Sequence, residues 1–97
     1  MINIGNYRFE GPYYEATTSF NDVAVVYAIL DLANRVIDVG ETDKLKSRLA
    51  NHERRSCWEQ RCGKNIYVAA LRMDNQEGRL QIEKIVRNTY NPTCGVV

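Results

Sequence analysis

The residues with the most chemical content sit where an apolar side chain would bury more easily. Positions 45, 48, 49 and 52 follow the i, i+3, i+4, i+7 spacing of a buried helix stripe, yet two of the four are Arg48 and His52. A guanidinium and an imidazole on such a stripe cost desolvation energy unless an anion or hydrogen-bond acceptors lie opposite them. Tyr27 stands inside an aliphatic run, residues 23–30, so a buried phenol there needs a partner for its hydroxyl. Asp38 interrupts a second extended run just before Gly40. Its plainer role is to cap a turn at a strand end. Glu83 falls at the edge of the helix face marked by Ile82, Ile85, Val86 and Thr89, about 60° from Val86 at 100° per residue. A carboxylate between buried and exposed is placed to hold a divalent cation. Its plainer role is in an exposed ladder, because Arg79 and Arg87 are its i−4 and i+4 neighbours.

These side chains need elements to position them. Residues 23–30 are continuous, apolar and rich in β-branched types, which predicts a strand covered on both faces. Residues 31–34 are a polar turn, and residues 35–39 resume in extended form, making a β-hairpin. Thr42 is a good N-cap, with Asp43 in the first turn of a helix expected from about 43 to 52. Residues 57–63 read as a loop carrying Trp58, and residues 66–71 as a third strand. Asp74 and Glu77 suggest a capping box for a helix over 76–89, stopped by Asn91-Pro92. The order is β-β-α-β-α. It predicts an α+β fold with a three-stranded, at least partly antiparallel sheet flanked by helices. Residues 1–22 are expected as an arm, with a short strand at 7–9 stopped by Gly11-Pro12, and residues 23–97 as the domain.

Composition bounds the function. The 97 residues are 44% hydrophobic and 26% charged, the profile of one small globular domain rather than a disordered chain. No run approaches the roughly 20 apolar residues that span a bilayer, and the N-terminus lacks the pattern of a signal peptide, so no membrane partner and a cytoplasmic location are expected. Residues 43–64 hold seven bases and three acids, a balance of +4 in a chain whose total is +1, so the remainder is −3. Such a patch suits a polyanion at one face, although a solvated helix face is the plainer account. Three cysteines without a secretion signal argue against a disulfide framework. Cys57, Cys62 and Cys94 with His52 make up a Cys3His zinc set, but His-x4-Cys-x4-Cys is not finger or ribbon spacing, and reduced, partly buried thiols are the plainer reading.

The spaced residues join in one pattern. Val25-Val26-Tyr27, Asp38-Val39-Gly40, the string from Gly40 to His52, Glu83 and Asn91-Pro92 together resemble the GIY-YIG nuclease family over roughly residues 23–95. The most specific part is glycine, threonine, leucine, arginine and histidine at family spacing between Gly40 and His52. The resemblance implies hydrolysis of a phosphodiester bond in DNA, or less readily RNA, with a single Mg2+ or Mn2+ ion. It implies that Tyr27 takes a proton from the attacking water or orients it, that Arg48 neutralises charge on the phosphate, that His52 hydrogen-bonds near the nucleophile, and that Glu83 ligates the metal. An unperturbed phenol has a pKa near 10, so Tyr27 as a base needs positive charge nearby. The pattern departs from the family at three places. Val25 replaces the glycine of the first motif, Asp38 replaces the tyrosine of the second, and Gly95 stands near the late asparagine. Asp38 is then either a second carboxylate beside the metal or the mark of a scaffold without turnover. Lys44, Lys46, Arg54, Arg55, Arg61 and Lys64 are expected on the nucleic-acid backbone, with Trp58 stacking on a base. Specificity would come from the arm, a protein partner or a homodimer. The competing expectation is an inactive domain of this fold that binds nucleic acid or protein.

Overall fold

The computed structural model describes residues 1–95; residues 96 and 97, the end of the expected domain, lie outside the described residues. The fold is α+β. Among the described residues there are five strands, β1 (Ile2–Ile4), β2 (Tyr7–Tyr14), β3 (Val25–Leu30), β4 (Val36–Thr42) and β5 (Tyr67–Arg72), and three α-helices, α1 (Leu45–Ala50), α2 (Arg55–Cys62) and α3 (Gln76–Tyr90). The strands form one antiparallel sheet in the order β1-β2-β5-β3-β4.

β3 is fully buried, and its alternation sorts the core. Val25, Tyr27 and Ile29 face one side, where they pack with Leu45 and Leu49 of α1 and Trp58 of α2. Val26, Ala28 and Leu30 face the other, with Ile82 and Val86 of α3. Two helices therefore cover one face and the third covers the opposite face. β4 lies at the sheet edge. Its pairing with β3 shifts after Ile29, so that Ile29 opposes Asp38 while Leu30 opposes Val36. Ile37 is the extra residue of a bulge, and Asp38 is set on the α1/α2 side with its partner Ile29.

Five sequence expectations need correction. The N-terminal arm is part of the sheet. Gly11-Pro12 does not end β2 but produces a register shift within it, and Gly11 takes φ +98°, where a side chain would be strained. Ile4 and Phe9 of this hairpin are buried in the α3-side core. The sheet is thus five-stranded, not three-stranded. Residues 57–63 are mostly helix, because Arg55–Cys62 buries Trp58 and Cys62 one turn apart on one face. The apolar face of α3 is Ile82 and Val86 with Arg79, while Ile85 is half exposed and Thr89 is exposed. The N-cap of α3 is Asn75, whose Oδ1 accepts the Gly78 N–H at 2.8 Å, rather than Asp74. The stop at Asn91 holds: it caps α3 in the left-handed region, φ 46°. α1 starts later than expected. Thr42 Oγ1 accepts the Lys44 N–H, and Asp22 accepts both the N–H and the hydroxyl of Ser47.

A sheet strand and a loose arm differ in energy. Phe9→Ala should lower unfolding free energy by about 3–5 kcal/mol in denaturant titration, the usual cost of emptying a buried phenylalanine site; an appended arm would lose well under about 1 kcal/mol.

Candidate functional site

Tyr27, in the middle of β3, lies across Gly40 of the edge strand β4, its register partner. A Cβ on Gly40 would fall on the phenol ring and its hydroxyl, so only glycine leaves room for it. The Tyr27 ring is buried, and its oxygen lies 2.7 Å from His52 Nε2. His52 follows α1 in the turn before α2, packed between Tyr27 and Trp58 with ring centroids 5.9 and 4.4 Å away. His52 Nδ1 accepts the backbone N–H of Arg54 at 3.0 Å. A backbone N–H can only donate, so Nδ1 carries no proton. The neutral ring therefore carries its proton on Nε2 and donates it to Tyr27 Oη. The phenol keeps its own O–H free to donate elsewhere.

Burial, reinforced by the Arg48 and Arg54 charges, lowers the His52 pKa to about 4. Burial also pushes Tyr27 up to about 12, against the opposing pull of Arg48. At neutral pH the pair is a neutral imidazole holding a neutral phenol.

Asp38 is buried beneath this pair, with all its acceptor capacity used. Oδ1 accepts the Val39 N–H at 2.8 Å, and Oδ2 accepts Arg54 Nε at 2.7 Å and Trp58 Nε1 at 2.8 Å. Arg87 Nη2 approaches Oδ1 at 3.5 Å. The carboxylate binds helices rather than presenting a free oxygen. Arg87 also donates to the Gly95 carbonyl at 2.9 Å, to the Val39 carbonyl, and to Glu83 Oε2 at 3.4 Å. Glu83 Oε1 has no hydrogen-bond partner among the described residues. Burial raises the Glu83 pKa above the ordinary carboxylate value, with Arg87 opposing it.

These groups converge on a polar cavity of about 270 Å³. Tyr27, Arg48, Arg54, Glu83 and Arg87 line it, with Gly40, Glu41 and Gly95. α1 and α3 lie on opposite faces of the sheet, so Arg48 and Glu83 meet only around the edge of β4. A second cavity of about 280 Å³ shares Glu41 and Arg48 as walls and continues toward Asp43 and Gln76. A larger space of about 650 Å³, lined by Asp31, Arg35, Arg61, Tyr90 and Thr93 among others, contains none of the five candidate catalytic side chains, Tyr27, Asp38, Arg48, His52 and Glu83. Convergence of titratable groups singles out the smaller cavity.

Tyr27, Arg48 and Glu83 thus share one wall-to-wall space, and His52 stands directly behind Tyr27. Arg48 holds the exposed Glu53 through two contacts of 2.8 and 2.9 Å, and this bond lowers the Glu53 pKa to about 2. Arg54, expected on the nucleic-acid backbone, is instead a wall of the cavity. Arg55 makes a two-pronged bond to Glu15 at 2.7 and 2.8 Å, and Trp58 is fully buried, so neither is free to meet a ligand as expected. Lys44, Lys46, Arg61 and Lys64 are exposed. Cys57 and Cys94 are bonded as a disulfide, against the expectation of reduced thiols, and Cys62 is a separate buried thiol. Two of the four groups of the Cys3His set are thereby joined to each other.

Glu41 and Arg87 were not singled out as site residues from the sequence. Arg87 carried a signal as the i+4 neighbour of Glu83. Glu41 carried only its place beside Gly40, and its carboxylate is held by the buried Arg79 at 3.0 Å. Among the described residues no group of three or more His, Cys, Asp or Glu side chains forms a metal-ligand cluster, and no helix is long and apolar enough to cross a membrane. No family model, curated protein or solved structure matches this chain.

Two outcomes check this geometry. The ring signals of His52 should titrate near pH 4 by NMR, not near 6.5. Its folded pKa lies below its unfolded one, so the unfolded state binds more protons between those values. Stability from this group is therefore full above about pH 6.5 and is lost as pH falls toward 4. His52→Asn should flatten that part of the stability profile. Separately, Asp38→Ala should destabilise the fold by about 3–5 kcal/mol in urea, since it leaves Arg54 Nε and the buried indole N–H of Trp58 without their acceptor; a carboxylate that served only a metal would leave the urea midpoint nearly unchanged.

Proposed function

We propose that the cavity at the β4 edge is a phosphodiester-hydrolysing site of the GIY-YIG type, acting on nucleic acid, DNA ahead of RNA, with a divalent cation. The observation that carries the reading is convergence. A phenol, a guanidinium and a carboxylate from three elements, 56 positions apart in sequence from Tyr27 to Glu83, line one space too polar for an apolar ligand.

Glu83 fits one Mg2+ or Mn2+ ion, because Arg87 occupies one of its oxygens and leaves the other without a partner among the described residues. Such ions accept few protein ligands and keep several waters. Bound there, the ion would supply Lewis-acid stabilisation of charge on the phosphate and the departing oxygen. The chain's own groups do the rest. Arg48 faces the cavity and opposes charge developing on phosphate oxygens, the type of term that is often largest in catalysis. A phosphodiester reaching Arg48 has to displace Glu53, whose carboxylate is exposed and is solvated as it leaves. Tyr27 keeps its proton at neutral pH, so its role is to orient the attacking water or a phosphate oxygen through its O–H. His52 fixes that O–H by donating to Oη from behind. Arg54 and Arg87 add positive charge to the wall, and Asp38 holds both still. The exposed Lys44, Lys46, Arg61 and Lys64 offer sequence-independent contacts to the backbone, which predicts salt-sensitive binding.

The test is nicking of supercoiled plasmid, and of single-stranded DNA and RNA, with Mg2+ or Mn2+ and with EDTA. Wild type should cleave at least one of these in metal only. Glu83→Gln and Arg48→Ala should each fall about 100-fold or more while Glu83→Gln still shifts DNA in a gel. Metal-dependent binding without cleavage in wild type, or equal cleavage in both variants, would sink the hydrolase reading and leave the binding-domain alternative.

A further inference from the structure

The disulfide between Cys57 and Cys94 joins α2 to the segment after α3, across 37 positions of sequence. Its surroundings connect it to the cavity. The Cys94 N–H donates to the Ile37 carbonyl at 2.9 Å, which lays the segment beside β4. The next residue, Gly95, is a cavity wall in the left-handed region, φ +77°. A Cβ there would come within 2.8 Å of Arg87 Nη1 and Asp38 Oδ1 and 2.9 Å of Arg54 Nε. The backbone at Gly95 is therefore fitted between the charges that shape the site, and its carbonyl takes a hydrogen bond from the Arg87 guanidinium that also reaches Glu83. On the other side of the bond, Cys57 is adjacent to Trp58, the indole donor to Asp38. The bond thus ties together two segments that both end on the same buried charge cluster.

We propose that Cys57–Cys94 is a redox latch on the cavity: closed, it holds Gly95 as a wall and Arg87 against Glu83, and opened by a dithiol reductant it frees the segment and lets Arg87 move. Cys57 is half-buried and Cys94 is buried, so the exposed end is Cys57. A reductant thiolate attacks Cys57 Sγ, the S–S bond breaks, and its electron pair leaves on Cys94 Sγ. The second thiol of the reductant then attacks its own sulfur in the mixed disulfide and releases Cys57. The reductant ends as a disulfide, and both cysteines end as thiols bearing its two protons. The structural half of the latch is independent of the proposed function; its effect on cleavage rests on that reading.

The experiment compares the full chain as purified and after treatment with dithiothreitol. Thiol titration in denaturant should find one free thiol before reduction and three after; three before reduction would overturn the latch. By NMR, reduction should speed amide exchange at Cys94 and broaden the side-chain N–H signal of Arg87. The signal of Arg79, which is bonded to Glu41 and to the Met73 and Asp74 carbonyls away from the disulfide, should stay unchanged. Cleavage should fall about tenfold, since small displacements at a reacting centre cost factors of this order or more. An Arg87 signal that ignores reduction would overturn the proposal, as would loss of the Arg79 signal, which marks a global staple. Mobile Arg87 with equal cleavage in both states would also overturn it. Mobile Arg87 with no cleavage in either state would uphold the latch and reject the nuclease reading. Cys57→Ser/Cys94→Ser should match the reduced protein under both conditions; if that variant fails to fold, the comparison of the two wild-type states decides.

Discussion

A carboxylate with no solvent exposure organises this protein. Taking an ion of that size out of water costs several kcal/mol even after the surroundings relax, so its partners must be close and directional. Asp38 finds them in Arg54, Trp58, Arg87 and the Val39 N–H. Those partners come from the turn before α2, from α2 itself, from α3 and from β4. One side chain thus fastens helices from opposite faces of the sheet to the edge strand between them. The arginines it binds are the same ones that wall the cavity. Core and site are in this respect one structure, and charge at the site is oriented by a group that itself never meets a ligand.

The second constraint is the thinness of the sheet edge. Residues on α1 and α3 are separated by the sheet wherever it is covered on both sides. At Gly40 there is no side chain, the Tyr27 phenol lies across the gap, and among the described residues no further strand pairs beyond β4. Arg48 and Glu83 can share a space only there. The bulge at Ile37 completes the arrangement by turning Asp38 toward Trp58 and leaving Glu41 on the Arg79 side. Within this frame His52 acts through its tautomer. Because Arg54 N–H occupies Nδ1, the ring can only donate to Tyr27, which makes the phenol an oriented donor and disfavours its use as a base.

Much of this was legible in the residues. Arg48 and His52 stood out because helical spacing put them on a stripe with Leu45 and Leu49; the two leucines are buried on α1, but the helix ends at Ala50, so His52 reaches the core from the turn that follows. Tyr27 stood out because its strand was otherwise aliphatic. Other features were hidden for physical reasons. Asp38 looked like a turn cap or a metal ligand, since nothing local announces a bulge that moves a side chain to the other face. Arg79 looked like a surface partner of Glu83, but it bonds Glu41, 38 positions away. Trp58 looked like an exposed stacking group in a loop, whereas its indole N–H answers a carboxylate 20 positions upstream. The arm looked separate because Gly11-Pro12 normally ends a strand, and the sheet tolerates it as an irregularity.

By itself the chain determined its periodic elements: the buried strand 25–30, the hairpin that follows, the leucine stripe of α1, and the helix that stops at Asn91-Pro92. These depend on neighbours three or four positions away, and such spacing is written in any single sequence. Tertiary structure alone decided which charges meet, that the arm becomes two strands, that Cys57 and Cys94 pair, and that Gly95 closes a cavity with Glu83. Those outcomes depend on contacts between segments tens of residues apart, where the desolvation of each ion selects its partner by geometry that local pattern does not encode.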